Sequence, residues 1–208
     1  MILELQENAV LAGIYDSART PILPGQIEYD NEDGYYNLGS WEGNPIDSFA
    51  SMITGIHVKN VTICGKGVLD GRADFENWWS RPKDKIRAWR PRMIFLNHCE
   101  NITVVGVTVQ NSPAWNLHPY FSNQIRFLDM EVKGPANSHN TDGCDPESCT
   151  NVEIAGVHFS VGDDCIAIKS GKIYMGKKFK VPSKHIHIRQ SWMQDGHGAV
   201  TVGSEIAA

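Results

Sequence analysis

The sequence predicts an all-β protein, a parallel β-helix of stacked coils with about three short strands per coil. Three observations carry that prediction. Short β-branched runs punctuated by Gly, Asn and Ser recur, and the second half has hardly any apolar stripe at helical spacing. One element repeats visibly, as Asn60-Val61-Thr62-Ile63, Asn101-Ile102-Thr103-Val104 and Asn151-Val152-Glu153-Ile154, with looser copies at Asn123-Gln124-Ile125-Arg126-Phe127 and Lys184-His185-Ile186-His187-Ile188. Taking Val61, Ile102, Ile125, Val152 and Ile186 as one column, the steps are 41, 23, 27 and 34 residues. Periods in that range mark solenoids, whose units bury an apolar face only by stacking on their neighbours.

Residues 1–55 are less periodic. Leu3, Leu5, Val10, Leu11 and Ile14 suit a first coil, and Asp16 to Phe49 reads as a long polar and aromatic loop. Each repeat of the first strand is followed by a second apolar run: Gly67-Val68-Leu69, Gly106-Val107-Thr108-Val109, Leu128 to Val132, Gly156 to Phe159, and Ser191-Trp192-Met193. A third run completes the coil at Arg92 to Leu96, Trp115-Asn116-Leu117, Cys165 to Ile168, and Ala199 to Val202. The longer steps hold insertions, Arg72 to Arg90 and Gly171 to Ser183. The Asn opening each first strand fits a corner, because Asn tolerates the left-handed region and its amide can bond to the next coil. That reading also covers Asn60-Val61-Thr62 and Asn101-Ile102-Thr103, which double as glycosylation acceptors by pattern. The whole of 1–208 reads as a single domain. A solenoid needs polar caps, and neither end shows one, so a β-helix incomplete at both ends is expected.

Charge and composition narrow the function. With 41% hydrophobic and 21% charged residues, the chain has the makings of a core. Nineteen basic residues against 24 acidic ones leave a net charge of −5, and no Lys/Arg run could neutralise a row of phosphates, so nucleic acid and anionic membrane are not expected partners. The start, Met-Ile-Leu-Glu-Leu-Gln-Glu-Asn, lacks a basic segment followed by an apolar one, and no run of about 18 apolar residues occurs. The five cysteines, Cys64, Cys99, Cys144, Cys149 and Cys165, include no C-x-x-C pair and read as buried thiols.

Three polar segments stand out: Asn140-Thr141-Asp142-Gly143-Cys144-Asp145, Gly162-Asp163-Asp164-Cys165, and Asp195-Gly196-His197-Gly198. Asp142 precedes Asp163 by 21 residues, about one bare coil, and removing most of the insertion at 171–183 puts His197 one coil beyond the pair. Neighbouring strands lie about 4.8 Å apart, so three carboxylates and an imidazole are expected in one short groove. Like charges at that range raise one another's pKa and keep one acid protonated, which is the equipment of a glycosidase. Consecutive residues of a regular strand point to opposite faces, so Asp163 and Asp164 serve one site only if a corner or bulge re-aims one of them, which Gly162 permits.

At these residues the sequence resembles glycoside hydrolase family 28, the polygalacturonases and related pectin hydrolases, through Asn140-Thr141-Asp142, Gly162-Asp163-Asp164, Gly196-His197-Gly198 and Gly203-Ser204-Glu205. The resemblance runs over at least 56–205. It implies a right-handed parallel β-helix that hydrolyses α-1,4 galacturonan with inversion. It further implies that Asp163 is the general acid, that Asp142 and Asp164 hold and deprotonate the attacking water, and that His197 supports the site. An inverting pair is expected to stand about 6.5 to 9.5 Å apart, leaving room for that water. Asn140, His118 and Lys169 are candidate substrate-binding residues. The implied partner is a pectic polysaccharide or oligogalacturonide, with no cofactor.

The family's Arg-Ile-Lys segment, which grips the substrate carboxylate, does not occur within these residues. Lys169, Lys177, Lys178 and Lys180 are candidate substitutes, weighed against a solvated-surface role. Trp78, Trp79 and Trp89 are weighed between stacking on sugars and packing on the scaffold. Trp115 and His118 are weighed between a neighbouring subsite and a structural role. His139, Asp145 and Glu147 invite a metal reading, but calcium wants six to eight oxygens and zinc more His or Cys, so no required metal is expected. Two other functions compete. A polysaccharide lyase on the same solenoid would need calcium and a basic proton acceptor, and a β-helix that only binds polysaccharide would need no Asp163.

Overall fold

The computed structural model describes residues 1–208 as a right-handed parallel β-helix. The first sheet stacks Ile2–Leu5, Lys59–Gly65, Glu100–Val105, Asn123–Leu128, Thr150–Ala155 and Lys184–Arg189 in chain order, all parallel. The second stacks Val10–Ala12, Val68–Asp70, Thr108–Gln110, Glu131–Lys133, His158–Ser160 and Trp192–Asp195. The third runs through Ile53–Ile56, Ile94–Asn97 and Leu117–Tyr120, crosses by single bridges at Cys144 and Glu147, and resumes at Ile166–Ile168 and Val200–Val202.

The column expected from the repeats is the observed register: Val61 pairs with Ile102, Ile102 with Ile125, Ile125 with Val152, and Val152 with Ile186. Alternation dictates this, because residues two apart on a strand face the same way and only one face is apolar. Ile102, Ile125 and Val152 are fully buried, as are Val109, Val132 and Phe159 from the second sheet and Ile94, Leu117, Cys144 and Ile166 from the third. Each such aliphatic or aromatic side chain contributes roughly 1.5–3 kcal/mol by leaving water. All five cysteines are free thiols, and four of them are buried.

At the corner entering the first sheet, Asn60, Asn101, Gln124, Asn151 and His185 take left-handed φ values of 58°, 55°, 56°, 57° and 53°. The Asn101 amide donates to Asn60 Oδ1 at 2.7 Å, and Asn151 donates to Asn123 Oδ1 at 3.0 Å. The asparagine signal therefore marks the corner at Asn60, Asn101 and Asn151, whereas in the two looser copies Gln124 and His185 take that place.

Two readings need refinement. The segment from Asp16 to Phe49 is no plain loop, since Ile22–Leu23 pairs with Ser48–Phe49, Gln26–Glu28 with Tyr35–Asn37, and Ser40–Trp41 with Asn44–Pro45, all antiparallel. These ladders leave little trace in the sequence, because two- and three-residue strands carry almost no periodic signal. The insertion after the third sheet holds one short helix, Ile173–Phe179, and no helix is long and apolar enough to cross a membrane.

Candidate active site

The turn that leaves the second sheet and enters the third builds the site. Backbone bonds stack these turns rung on rung. The Asn116 N–H donates to the Asp142 carbonyl at 2.8 Å, Gly143 to Asp164 at 2.9 Å, and His197 to Asp163 at 3.0 Å. Asp142, Asp163 and His197 thus sit on successive coils, as their spacing implies.

Asp163 and Asp164 lie in the corner between His158–Ser160 and Ile166–Ile168, where the strand pairing slips next to Ser160. The corner frees them from strand alternation. Gly162 makes it possible, because a Cβ there would lie 2.2 Å from the Ser138 carbonyl oxygen, and its N–H donates to Thr141 Oγ1 at 3.1 Å. Gly198 plays a matching part, since a Cβ there would press on Asp164 Oδ1 at 2.8 Å. The result is that one carboxylate oxygen each of Asp142, Asp163 and Asp164 lies within 4.8 Å of the others. His197 Nδ1 lies 3.3 Å from Asp163 Oδ1, with its side chain 70% exposed.

This cluster is tighter than the separation expected of an inverting acid and base, because adjacent rungs are only one strand spacing apart and two of the acids share a corner. Two acceptor oxygens bonded to one water stand about 4.5 Å apart, given O–H···O distances near 2.75 Å. The cluster therefore has the dimensions of a site for one shared water. Its three oxygens are also the group that could hold a cation.

The acids differ in environment. Asp142 is 4% exposed, with Oδ1 unpartnered, and burial, reinforced by the charge of Asp163, pushes its pKa up to about 7. Asp163 is partly open to solvent, at 24% of its side-chain surface. One member of the trio thus keeps a proton near neutrality, as like charges at this range require.

Asn140 is half-buried and held from below. Arg90 Nη2 donates to its Oδ1 at 2.8 Å, while Arg90 Nη1 donates to the carbonyls of Pro113 and His139 at 2.7 and 2.8 Å. Arg90 is itself buried, which lowers its pKa to about 10. Nothing in the local pattern singled out Arg90, which closes the long insertion after Arg72; its partners lie 23 to 50 residues away.

His118 and Lys169 are not where a substrate contact would need them. His118 is fully buried, its Nε2 lying 3.0 Å from Glu147 Oε2, and burial holds its pKa well below the usual value. Lys169 is 6% exposed, 3.5 Å from Asp145 Oδ1, 4.8 Å from the centre of the Trp115 ring, and donates to the Gly203 carbonyl at 3.3 Å. Both belong to a polar layer on the outer face of the third sheet, covered by Ser40 and Trp41 of the early ladders. Asp145, Glu147, Glu205 and Arg92 complete it, all of them buried. Burial pushes Glu147 and Glu205 up to about 7, whereas it pulls Lys169 down and is outweighed by Asp145, Glu205, Asp142 and Glu147, which leave the ammonium above its ordinary value. Asp145 and Glu147 face these cations.

The lysines of the insertion also lie elsewhere. The insertion leaves the end of Ile166–Ile168 opposite the Asp pair, and Lys178 pairs with Asp33 at 3.0 Å. Trp78 and Trp79 are buried, Trp79 donating from Nε1 to the Ser112 carbonyl at 3.1 Å, so they pack on the scaffold. Trp115 is buried too, stacked 4.8 Å from Trp41.

Residues 26–207 match the model of the family described as glycosyl hydrolases family 28. A probable polygalacturonase of Vitis vinifera is 32% identical over 206 residues, covering 98% of this chain and 40% of the relative. An endo-polygalacturonase of Pectobacterium carotovorum subsp. carotovorum is 32% identical over 189 residues, 85% of this chain and 44% of the relative. The chain thus spans about two fifths of the length of these curated relatives. Among solved structures, a hyperthermoactive exopolygalacturonase from Thermotoga maritima superposes with a TM-score of 0.79 at 27% identity, over 98% of this chain and 51% of that one.

Proposed function

Since the chain belongs to glycosyl hydrolases family 28, we propose that it supplies the catalytic acids of an enzyme hydrolysing the α-1,4 bonds of polygalacturonan. The observation that carries the reading is the meeting of Asp142, Asp163 and Asp164 within 4.8 Å, with His197 3.3 Å from Asp163.

Asp163, partly open to solvent and 3.3 Å from His197, protonates the leaving glycosidic oxygen. Asp142 and Asp164 hold one water between them; in the productive form the trio's one proton sits on Asp163, so this pair is ionised and takes the proton of the water as its oxygen attacks the anomeric carbon. Water, not a carboxylate, forms the new bond, so the product anomer is inverted. His197 acts through Asp163 as a positioning residue, orienting its carboxyl group and modulating its charge. Arg90 positions Asn140 at the edge of the groove, where the amide is available to sugar hydroxyls. The buried layer of Lys169, Arg92, Asp145, Glu147, Glu205 and His118 sets the electrostatics beneath the site.

The test is release of reducing ends from polygalacturonate, with proton NMR of the first product formed and absorbance followed for unsaturated sugars. Release of the β anomer, without new absorbance and lost in Asp163→Asn, supports the reading. A retained α anomer overturns the water-attack role of Asp142 and Asp164, and an unsaturated product overturns hydrolysis.

A further inference from the structure

A cavity of about 930 Å³ has no part in the proposed chemistry. It opens on the same column of turns as the catalytic acids. Gly71 donates to Gln110, Asn111 to Lys133, and Gly134 to Ser160, so three rungs separate Arg72 from the Asp163 turn. At one strand spacing per rung that is about 14 Å along the helix. A polymer lying across Asp163 and running toward the early coils meets this cavity.

Its walls have the chemistry of a saccharide site. Tyr15 and Phe75, 50% and 48% exposed, both line the cavity and offer aromatic surface for stacking. The Arg72 guanidinium lies 4.5 Å from the centre of the Tyr15 ring and forms no hydrogen bond or ion pair, leaving its donors free. Trp78, at the floor, has a buried indole N–H without an acceptor.

Charge selects among sugars. The lining carries four carboxylates, Asp16, Asp70, Asp74 and Glu76, against the single Arg72. Three of them are held by local donors. Asp70 accepts from Gln110 and Asn111, Asp74 from the backbone of Glu76 and Asn77, and Asp16 from Ala18. They stay in place as a field that repels a uronate, whereas an uncharged pyranose meets aromatic faces and both donors and acceptors without that repulsion.

We propose that the cavity beside Tyr15 and Arg72 is a distal saccharide subsite that takes an uncharged sugar unit, a methyl-esterified galacturonate or a neutral residue, of a pectic chain lying across Asp163. The inference rests on the pectic reading for its ligand and not on the chemistry at Asp163.

The experiment titrates the 208-residue chain carrying Asp163→Asn, to prevent turnover, by calorimetry. The ligands are hexamers of galacturonate, of methyl-esterified galacturonate and of neutral galactan, with the two matching galacturonate dimers as controls. The esterified hexamer should bind at least 5-fold tighter than the acid hexamer. Adding Tyr15→Ala should weaken the esterified hexamer at least 5-fold, and Glu76→Gln should reduce the preference for it by relieving the repulsion of the acid hexamer, with dimer binding and the melting temperature unchanged, since both side chains are exposed. Galactan binding with the same dependence on Tyr15 supports absence of charge as the criterion. Tighter binding of the acid hexamer, or binding of the esterified hexamer that Tyr15→Ala leaves unchanged, overturns the proposal. Hydrolysis of polygalacturonate by the unsubstituted chain, together with esterified-hexamer binding that does not depend on Tyr15, removes the subsite and keeps the hydrolase. A Tyr15-dependent preference without hydrolysis does the reverse.

Discussion

His197 and Asp163 are joined twice across one rung of the helix, by the backbone bond of 3.0 Å from the His197 N–H to the Asp163 carbonyl and by the 3.3 Å approach of the imidazole Nδ1 to the carboxylate. The backbone bond fixes where the imidazole starts, and the side-chain contact sets what it does. His197→Ala should therefore lower kcat about 10- to 100-fold with KM little changed, and alter the pH profile of kcat. Asp163→Asn should lower kcat by about 10²- to 10⁴-fold, the range of a lost general acid. Steady-state kinetics across pH checks both.

Asp142 gives a pH dependence of stability with a definite sign. Its folded pKa of about 7 lies above the ordinary 3.8 because it is buried beside Asp163. Between those values the folded chain holds a proton that the unfolded chain has lost, so this group makes stability fall as pH rises from about 4 to about 7. Asp142→Asn removes that dependence. Thermal melts should show the variant gaining on the parent as pH goes from 4 to 8, by at most on the order of 4 kcal/mol.

Lys169 holds the buried acid layer together. Lys169→Met leaves Asp145, Glu147 and Glu205 facing Arg92 alone and should destabilise the chain by about 3–5 kcal/mol, the range for a buried ion pair that loses one partner. The loss should be greater at pH 8 than at pH 5, where Glu147 and Glu205 are protonated. Urea denaturation at both pH values measures it.

The asparagine corner has its own signature. Asn101 has φ of 55° and bonds to Asn60 Oδ1. Asn101→Val should cost about 2 kcal/mol, as a β-branched residue pays the left-handed penalty and loses the bond. Asn101→Gly should cost less, because it loses only the bond. Chemical denaturation of the two variants gives the order.

The repeat in the sequence was sufficient to place Val61, Ile102, Ile125, Val152 and Ile186 in one column and to put Asp142, Asp163 and His197 on successive rungs, because in a solenoid each residue's neighbours lie one coil away and the coil length is visible as a period. The left-handed asparagines were legible for a similar reason, since the demand on φ is local to the residue. What only the tertiary structure decided lies where distant segments meet the helix. The short ladders of 22–49 cover the outer face of the third sheet, and that cover turns His118 and Lys169 from candidate sugar contacts into buried members of an ionic layer. Arg90 reaches Asn140 from an insertion with no period, and the Trp78 and Trp79 side chains sink into the scaffold while Tyr15 and Phe75 stay exposed. Local pattern reports the face of a strand, but whether that face meets water depends on chain that returns from 100 residues away, as Ser40 does to Glu147. Burial, charge partners and pKa follow from that return, and they were settled by the fold.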